Sequence, residues 1–174
     1  MLVVIMVIFI LAALVLAASS YVQNKGARAR AETEIAAMSA ALESYKADNG
    51  IYPQDSNTDA LNAQTPTSAD PKTGDAKYRA ATLSLYKQLS GDTNANRQPI
   101  AKSYFSFPPA MLFPKGSSNS VTALTDPWGN CYGYSTANQA GTGGYNPTFD
   151  LWSSGQPTST GAPNTDPVKF VKNW

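Results

Sequence analysis

The stretch NKGARARAETEIAAMSAALESYKADNG, Asn24 to Gly50, decides the fold of this chain. Ala31, Ile35, Met38, Leu42 and Tyr45 follow one another at spacings of four, three, four and three, which draws one apolar stripe along an α-helix. The opposite face carries Arg28, Glu32, Ser39, Glu43 and Lys46. Arg28 with Glu32, and Arg30 with Glu34, stand one turn apart, and each such pair adds a few tenths of a kcal/mol at most. Asn49-Gly50 supplies a left-handed stop. Tyr52-Pro53 then starts an extended exit, because proline blocks further helix.

Toward the N-terminus the same helix has nothing to interrupt it. Met1 to Ala18, MLVVIMVIFILAALVLAA, is apolar at every position, and no charged residue appears before Lys25. The spacing predicts one helix over about 1–48, roughly 70 Å long by its rise. Residues 1–22 can just span a bilayer core of about 30 Å. A helix apolar on all sides needs lipid or other helices on all sides, whereas a striped helix needs one globular neighbour. Met1, Leu2, Val3, Val4, Ile5, Val7, Ile8, Ile10, Leu11 and Leu14 are the candidate membrane or filament-core residues. Ala31, Ile35, Met38, Leu42 and Tyr45 are the candidate packing stripe. Three readings of the opening run compete: a cleaved secretory signal, a plain membrane anchor and the stem of a filament subunit. Ala17-Ala18-Ser19 could end a signal, although the run is longer than a usual signal core, and Lys25, Arg28 and Arg30 could mark a cytoplasmic flank.

Composition narrows the chemistry. A net charge of +1 with no concentrated Lys/Arg excess argues against nucleic acid as a partner. The chain has no histidine, so a Ser-His or Cys-His nucleophile pair is impossible, and its lone Cys131 has neither a disulfide nor a zinc-ligand partner. Cys131 reads as a small half-buried strand residue. Catalysis by Asp126, Asp150 and Asp166 would require the three carboxylates to converge in one cleft.

Beyond the long helix, Gln54 to Lys77 is filled with Asn, Thr, Asp, Pro and Gly and reads as surface loop. Tyr78 to Leu89 predicts a second helix from Ala81, Leu85 and Leu89, ended by Ser90-Gly91. From Lys102 on, SYFSF, CYGYS, TFDLWS and VKFV predict short antiparallel strands laid on the stripe. The expected fold is therefore α+β, a long N-terminal helix on a small antiparallel head. Trp128 and Trp152 read as core packing before any binding platform. Asp92-Thr93-Asn94-Ala95-Asn96 has the opening spacing of a calcium loop but not its Gly or closing Glu, and reads as a solvated turn.

These residues resemble the type IV pilin-like proteins, and among them the major pseudopilin of type II secretion systems. LVVIMVIFILAAL is similar to the family's apolar stem, YKADNGIYP to its DNGxYP signature, and TDPWGNCYGY to its DPWGNPYxY segment. TFDLWSSG followed by a terminal NW resembles the close of its C-terminal loop. The motifs stand in the family's order from Met1 to Trp174, with the middle insertion unmatched. Asn49, Gly50, Tyr52 and Pro53, with Asp126, Pro127, Trp128 and Gly129, are the motif residues. The family's glutamate before the apolar run has no counterpart in this sequence, so no prepilin peptidase cleavage site can be placed in it. Ala17 stands near where the family often has a helix-loosening proline.

The resemblance implies a non-enzymatic filament subunit with residues 1–22 in the inner membrane or filament core, 23–50 as the amphipathic half of the helix, and 51–174 as a periplasmic head. It implies N-terminal methylation after processing by prepilin peptidase. Its partners would be copies of itself, the inner-membrane assembly platform and minor pseudopilins. It also implies calcium in the C-terminal loop. Here Pro157 replaces the first aspartate, leaving Asp166 with the carbonyls near Leu151 and Ser154, and one carboxylate gives a weak site or none. A type IV pilus subunit, or a secreted carbohydrate-binding domain released after a signal peptide and using Trp152, are the alternatives.

Overall fold

The computed structural model describes the backbone of residues 2–116 and 119–174, and the side chains of these except 2, 9, 10 and 12–20. The first element is α1, Leu2–Asn49, 48 residues without a break. It ends where Gly50, at φ +80°, returns its N–H to the Lys46 carbonyl at 2.7 Å. A positive φ costs glycine nothing, so the chain turns off the helix axis there.

Residues 51–174 fold against one side of the upper half of α1. Two further helices, α2 (Ser56–Ala60) and α3 (Ala76–Ser90), precede the strands β1 (Leu112–Phe113), β2 (Ala123–Leu124), β3 (Gly133–Ser135), β4 (Asp150–Ser153) and β5 (Val171–Lys172). β1 pairs with β2, and β3-β4-β5 form a three-stranded sheet, all antiparallel. Thr125 and Cys131 make an isolated bridge between β2 and β3. The α+β architecture is the one the sequence predicts, with strands shorter than their aromatic runs suggest.

Two apolar clusters lie on the two sides of β4, which is buried at all four positions. Leu151 joins Ile35, Met38, Leu42, Leu85, Leu89, Tyr132 and Tyr134 in the cluster that includes α1. Its neighbour Trp152 points the other way, into a cluster with Tyr78, Ala81, Cys131 and Phe170. This is the period-two alternation of a strand with both faces covered.

Three segments depart from expectation. SYFSF forms no strand: the N–H groups of Tyr104 and Phe105 both donate to the Leu89 carbonyl at the end of α3, and Pro108-Pro109 then remove donors from any ladder. In VKFV, Asp166 caps a 3-10 turn over Pro167–Lys169, so pairing begins only at Val171. The 54–77 stretch is not simply surface loop. Asp55 and Thr58 form a capping box that starts α2, Thr58 is buried, and Leu61, Ala63 and Ala69 enter the second cluster.

Candidate functional site: the stem and its junction with the head

Along the lower part of α1, Val3, Val4, Ile5, Met6, Val7, Ile8 and Leu11 are each about half exposed or more. At 100° per residue these positions point to every side of the helix, so no single neighbouring surface can cover them. Met1 lies outside the described residues, as do the side chains of Leu2, Ile10 and Leu14. Among the described residues no helix is long and apolar enough to cross a membrane; most of the apolar run named above has its side chains outside that set.

On the upper half, Ala31, Ile35, Met38 and Leu42 are buried, and Tyr45 is half-buried against the same cluster. Burying a Leu, Ile or Met side chain stabilises by roughly 1.5–3 kcal/mol each, so the stripe is the main adhesive between α1 and the head. The Tyr45 ring meets Tyr104 edge-on, and its hydroxyl donates to Gln88. Arg28–Glu32 and Arg30–Glu34 pair at 3.1 and 2.7 Å.

Polar contacts then fix the register of helix against head. The Tyr132 hydroxyl donates to Glu34 at 2.5 Å, and Arg30 holds the other oxygen of the same carboxylate. Burial, then the Glu34 charge, drive the Tyr132 hydroxyl far above its usual range. A hydrogen bond to a charged partner is worth about 1.5–3 kcal/mol. Tyr132→Phe is therefore expected to lower the stability of the stem–head contact by about that much, read as a lower urea midpoint with an unchanged slope.

At the motif residues, Asn49 donates to Tyr45 O and to the Tyr104 hydroxyl. Tyr52 is buried and donates to Glu43, while the Pro53 carbonyl accepts from the Tyr134 hydroxyl. Asp126-Pro127-Trp128-Gly129 is a turn in which Gly129, at φ +92°, donates to the Asp126 carbonyl. The buried Asp126 carboxylate accepts the N–H groups of Trp128 and Asn130 and the Ser153 hydroxyl at 2.5 Å. Burial pushes this carboxyl up to about 6, against those hydrogen bonds, which pull it down. Trp128 is half-buried, and its indole N–H donates to Asn24 at 3.2 Å, tying the turn to the base of the striped helix.

Asp126, Asp150 and Asp166 each close a loop of their own. Asp150 accepts from the Tyr145 and Asn146 N–H groups, and Asp166 from Val168. Cys131 is fully buried, where burial pushes its thiol up to about 12. Trp152 is also fully buried and offers no face to a ligand.

The donors available to calcium do not fit it. The Leu151 carbonyl accepts the Asn173 N–H, one Asp166 oxygen caps Val168, and Ser154 is buried with an unpartnered hydroxyl. One carboxylate is far short of the six to eight oxygens the ion takes, and no group of three or more His, Cys, Asp or Glu gathers among the described residues. The Asp92 loop is not the solvated turn its sequence suggests. Asp92 is fully buried, accepting the Tyr86 hydroxyl and the N–H groups of Asn96 and Arg97. Ala95 and Arg97 take positive φ to wrap round it. The sequence signals for this knot and for the Glu34–Tyr132 contact are weak, because each joins residues far apart or bends the chain in an unusual region.

Residues 20–92 match the family model described as type II secretion system protein G. The match runs from the base of the striped half of α1 through α2 and α3 to Asp92. Comparison with curated proteins and with solved structures returns no match.

Proposed function

We propose, from the premise that this chain is pseudopilin-like in sequence and fold, that it is a structural subunit of the pseudopilus of a type II secretion system. The observation that carries the reading is α1 itself: one continuous helix whose upper half is clamped to the head on one stripe and whose described lower residues are bare on every side. Such a helix can exchange lipid for copies of itself with no change in the head. Residues 1–22 lie in the inner membrane and then in the filament core, residues 23–50 carry the head, and residues 51–174 stand in the periplasm. Heterologous contacts repeated along a screw axis give an open filament. Its growth on the assembly platform, begun by minor pseudopilins, supports export. Prepilin peptidase processing and N-terminal methylation belong to the same reading. No catalytic role is assigned, because the three candidate carboxylates are each occupied in a separate loop.

The test is cysteine cross-linking between stems in a Cys131→Ala background, with single cysteines at Val7 and Leu11. Ladders of cross-linked chains that depend on the secretion ATPase are expected, together with loss of export on Ile8→Arg. Ladders that appear only with a pilus assembly system would favour the pilus-subunit alternative. A chain released whole into the medium without residues 1–18 would overturn the filament reading.

Calcium is not required in this proposal. Thermal unfolding in millimolar calcium and in excess chelator is expected to give the same Tm, since a ligand that binds the folded chain must raise it. A Tm several degrees higher with calcium would show a site that the donor set above does not reveal.

A further inference from the structure

At the base of the head a groove of about 540 Å³ opens between α1 and the C-terminal loop, lined among others by Arg28, Trp128, Thr158, Asn164 and Lys169. A second hollow shares Asn24, Arg28 and Gln156 with it and extends down α1 to Lys25 and Tyr21. Three cations thus face one continuous concavity, and among the described residues lining it none is a carboxylate. Arg28 is paired with Glu32, but neither Lys25 nor Lys169 is in an ion pair among the described residues. Lys25 sits over the Tyr21 ring at 4.8 Å. Apolar side chains are exposed at or next to lining residues: Tyr21 of the second hollow, its chain neighbour Val22, and Val168 beside Lys169 are 62%, 67% and 85% exposed.

The geometry points to this groove as a binding site for the phosphate of an anionic glycerophospholipid such as phosphatidylglycerol. The inference rests on the membrane reading of residues 1–22 given above. If the hydrocarbon boundary falls at Val22, Asn24 and Arg28 stand about 3 and 9 Å beyond it along the helix. The headgroup layer on each side of a bilayer is roughly 5–8 Å deep, so Asn24 stands within it and Arg28 at its outer edge, from which a long side chain reaches back. Tyr and Trp collect at that depth, which Tyr21 and Trp128 satisfy, and Lys and Arg there attract anionic lipid. Exposed Val168, next to Lys169, would meet the glycerol and upper acyl region. The Trp128–Asn24 hydrogen bond holds the two walls of the groove together. A head held at two points, its stem and this groove, cannot swing freely on the membrane before assembly.

The experiment uses the full chain. Alkaline carbonate extraction of membranes first establishes whether it is embedded. The protein in detergent micelles is then offered equal phosphatidylglycerol and phosphatidylcholine, and retained lipid is counted by native mass spectrometry. Phosphatidylglycerol is expected to be retained at least about fivefold over phosphatidylcholine. That preference is expected to vanish in Arg28→Gln/Lys169→Gln, to persist in Lys77→Gln, whose lysine does not line the groove, and to survive excess inorganic phosphate. Circular dichroism confirms that the variants are folded. Equal retention of the two lipids, or equal loss in Lys77→Gln, would overturn the proposal. Displacement by inorganic phosphate would make the groove a free-anion site and overturn the lipid assignment. Release by carbonate would overturn the membrane reading and this inference with it, whereas embedding without lipid preference would overturn this inference alone.

Discussion

Gly133→Ala is expected to destabilise the head by about 2–3 kcal/mol, at the upper end of what a single added methyl costs in a packed core. Gly133 is the cross-strand partner of Trp152, and a Cβ built there would lie 2.1 Å from the indole Cε2. The indole has nowhere to go. It is fully buried, edge-on to Tyr78 at 5.8 Å and to Trp174 at 5.9 Å, and stacked on Phe170 at 6.4 Å. Trp152→Ala is expected to cost more, about 3–5 kcal/mol, because it empties the centre of the second cluster. The decisive result is the double variant. If the methyl hurts only by pressing on the ring, Gly133→Ala adds little once the ring is gone, and the double variant costs about 2 kcal/mol less than the two single variants summed. Simple additivity in urea unfolding would show that Gly133 is needed for its backbone and not for the space it leaves.

The second large effect concerns pH. Asp126 titrates at about 6 in the folded chain and near 3.8 when unfolded, with burial as the leading cause. Between these values the folded state holds the proton more tightly, so raising the pH favours unfolding. Asp126 therefore costs no stability below about pH 4 and costs about 3 kcal/mol above about pH 6. Asp55 and Asp92, against burial that raises them, and Asp70 and Asp75 are held below the usual range by hydrogen bonds and act in the opposite sense. The measurement is thus a difference, the stability of the chain minus that of Asp126→Asn, across pH 4 to 7. It is expected to fall by up to about 3 kcal/mol over that window. A flat difference would mean that the hydrogen bonds from Ser153, Trp128 and Asn130 offset the burial completely.

How much of this was legible in the sequence depended on the range of the interactions. The long helix was readable because its stripe, its Asn49-Gly50 stop and its i,i+4 pairs are all local. The helix around Leu85 and the strand through Trp152 were readable for the same reason. SYFSF looked like a strand because alternation reports burial, and here burial comes from packing on the end of α3 and not from a ladder. Asp92 looked solvated because nothing local reveals that Tyr86 and two strained residues would close over it. The 54–77 stretch hid a capping box, Asp55 to Thr58, which was visible in principle. Of the junction, Asn24 and Trp128 are 104 residues apart, and only the fold brings them together. The lower stem was legible as apolar on all sides, and that character alone left its destination open.

The Gly50 turn sends the chain back down the side of α1, so head and helix lie alongside each other and are not joined end to end. A pull on the lower stem would reach the head as shear, shared at once by the Ile35, Met38 and Leu42 contacts, the Glu34–Tyr132 bond and the Trp128 tie. Bonds loaded in parallel share tension, whereas bonds loaded one after another fail singly. A rod built this way behaves as a lap joint, and a growing filament could push through it without peeling the head away.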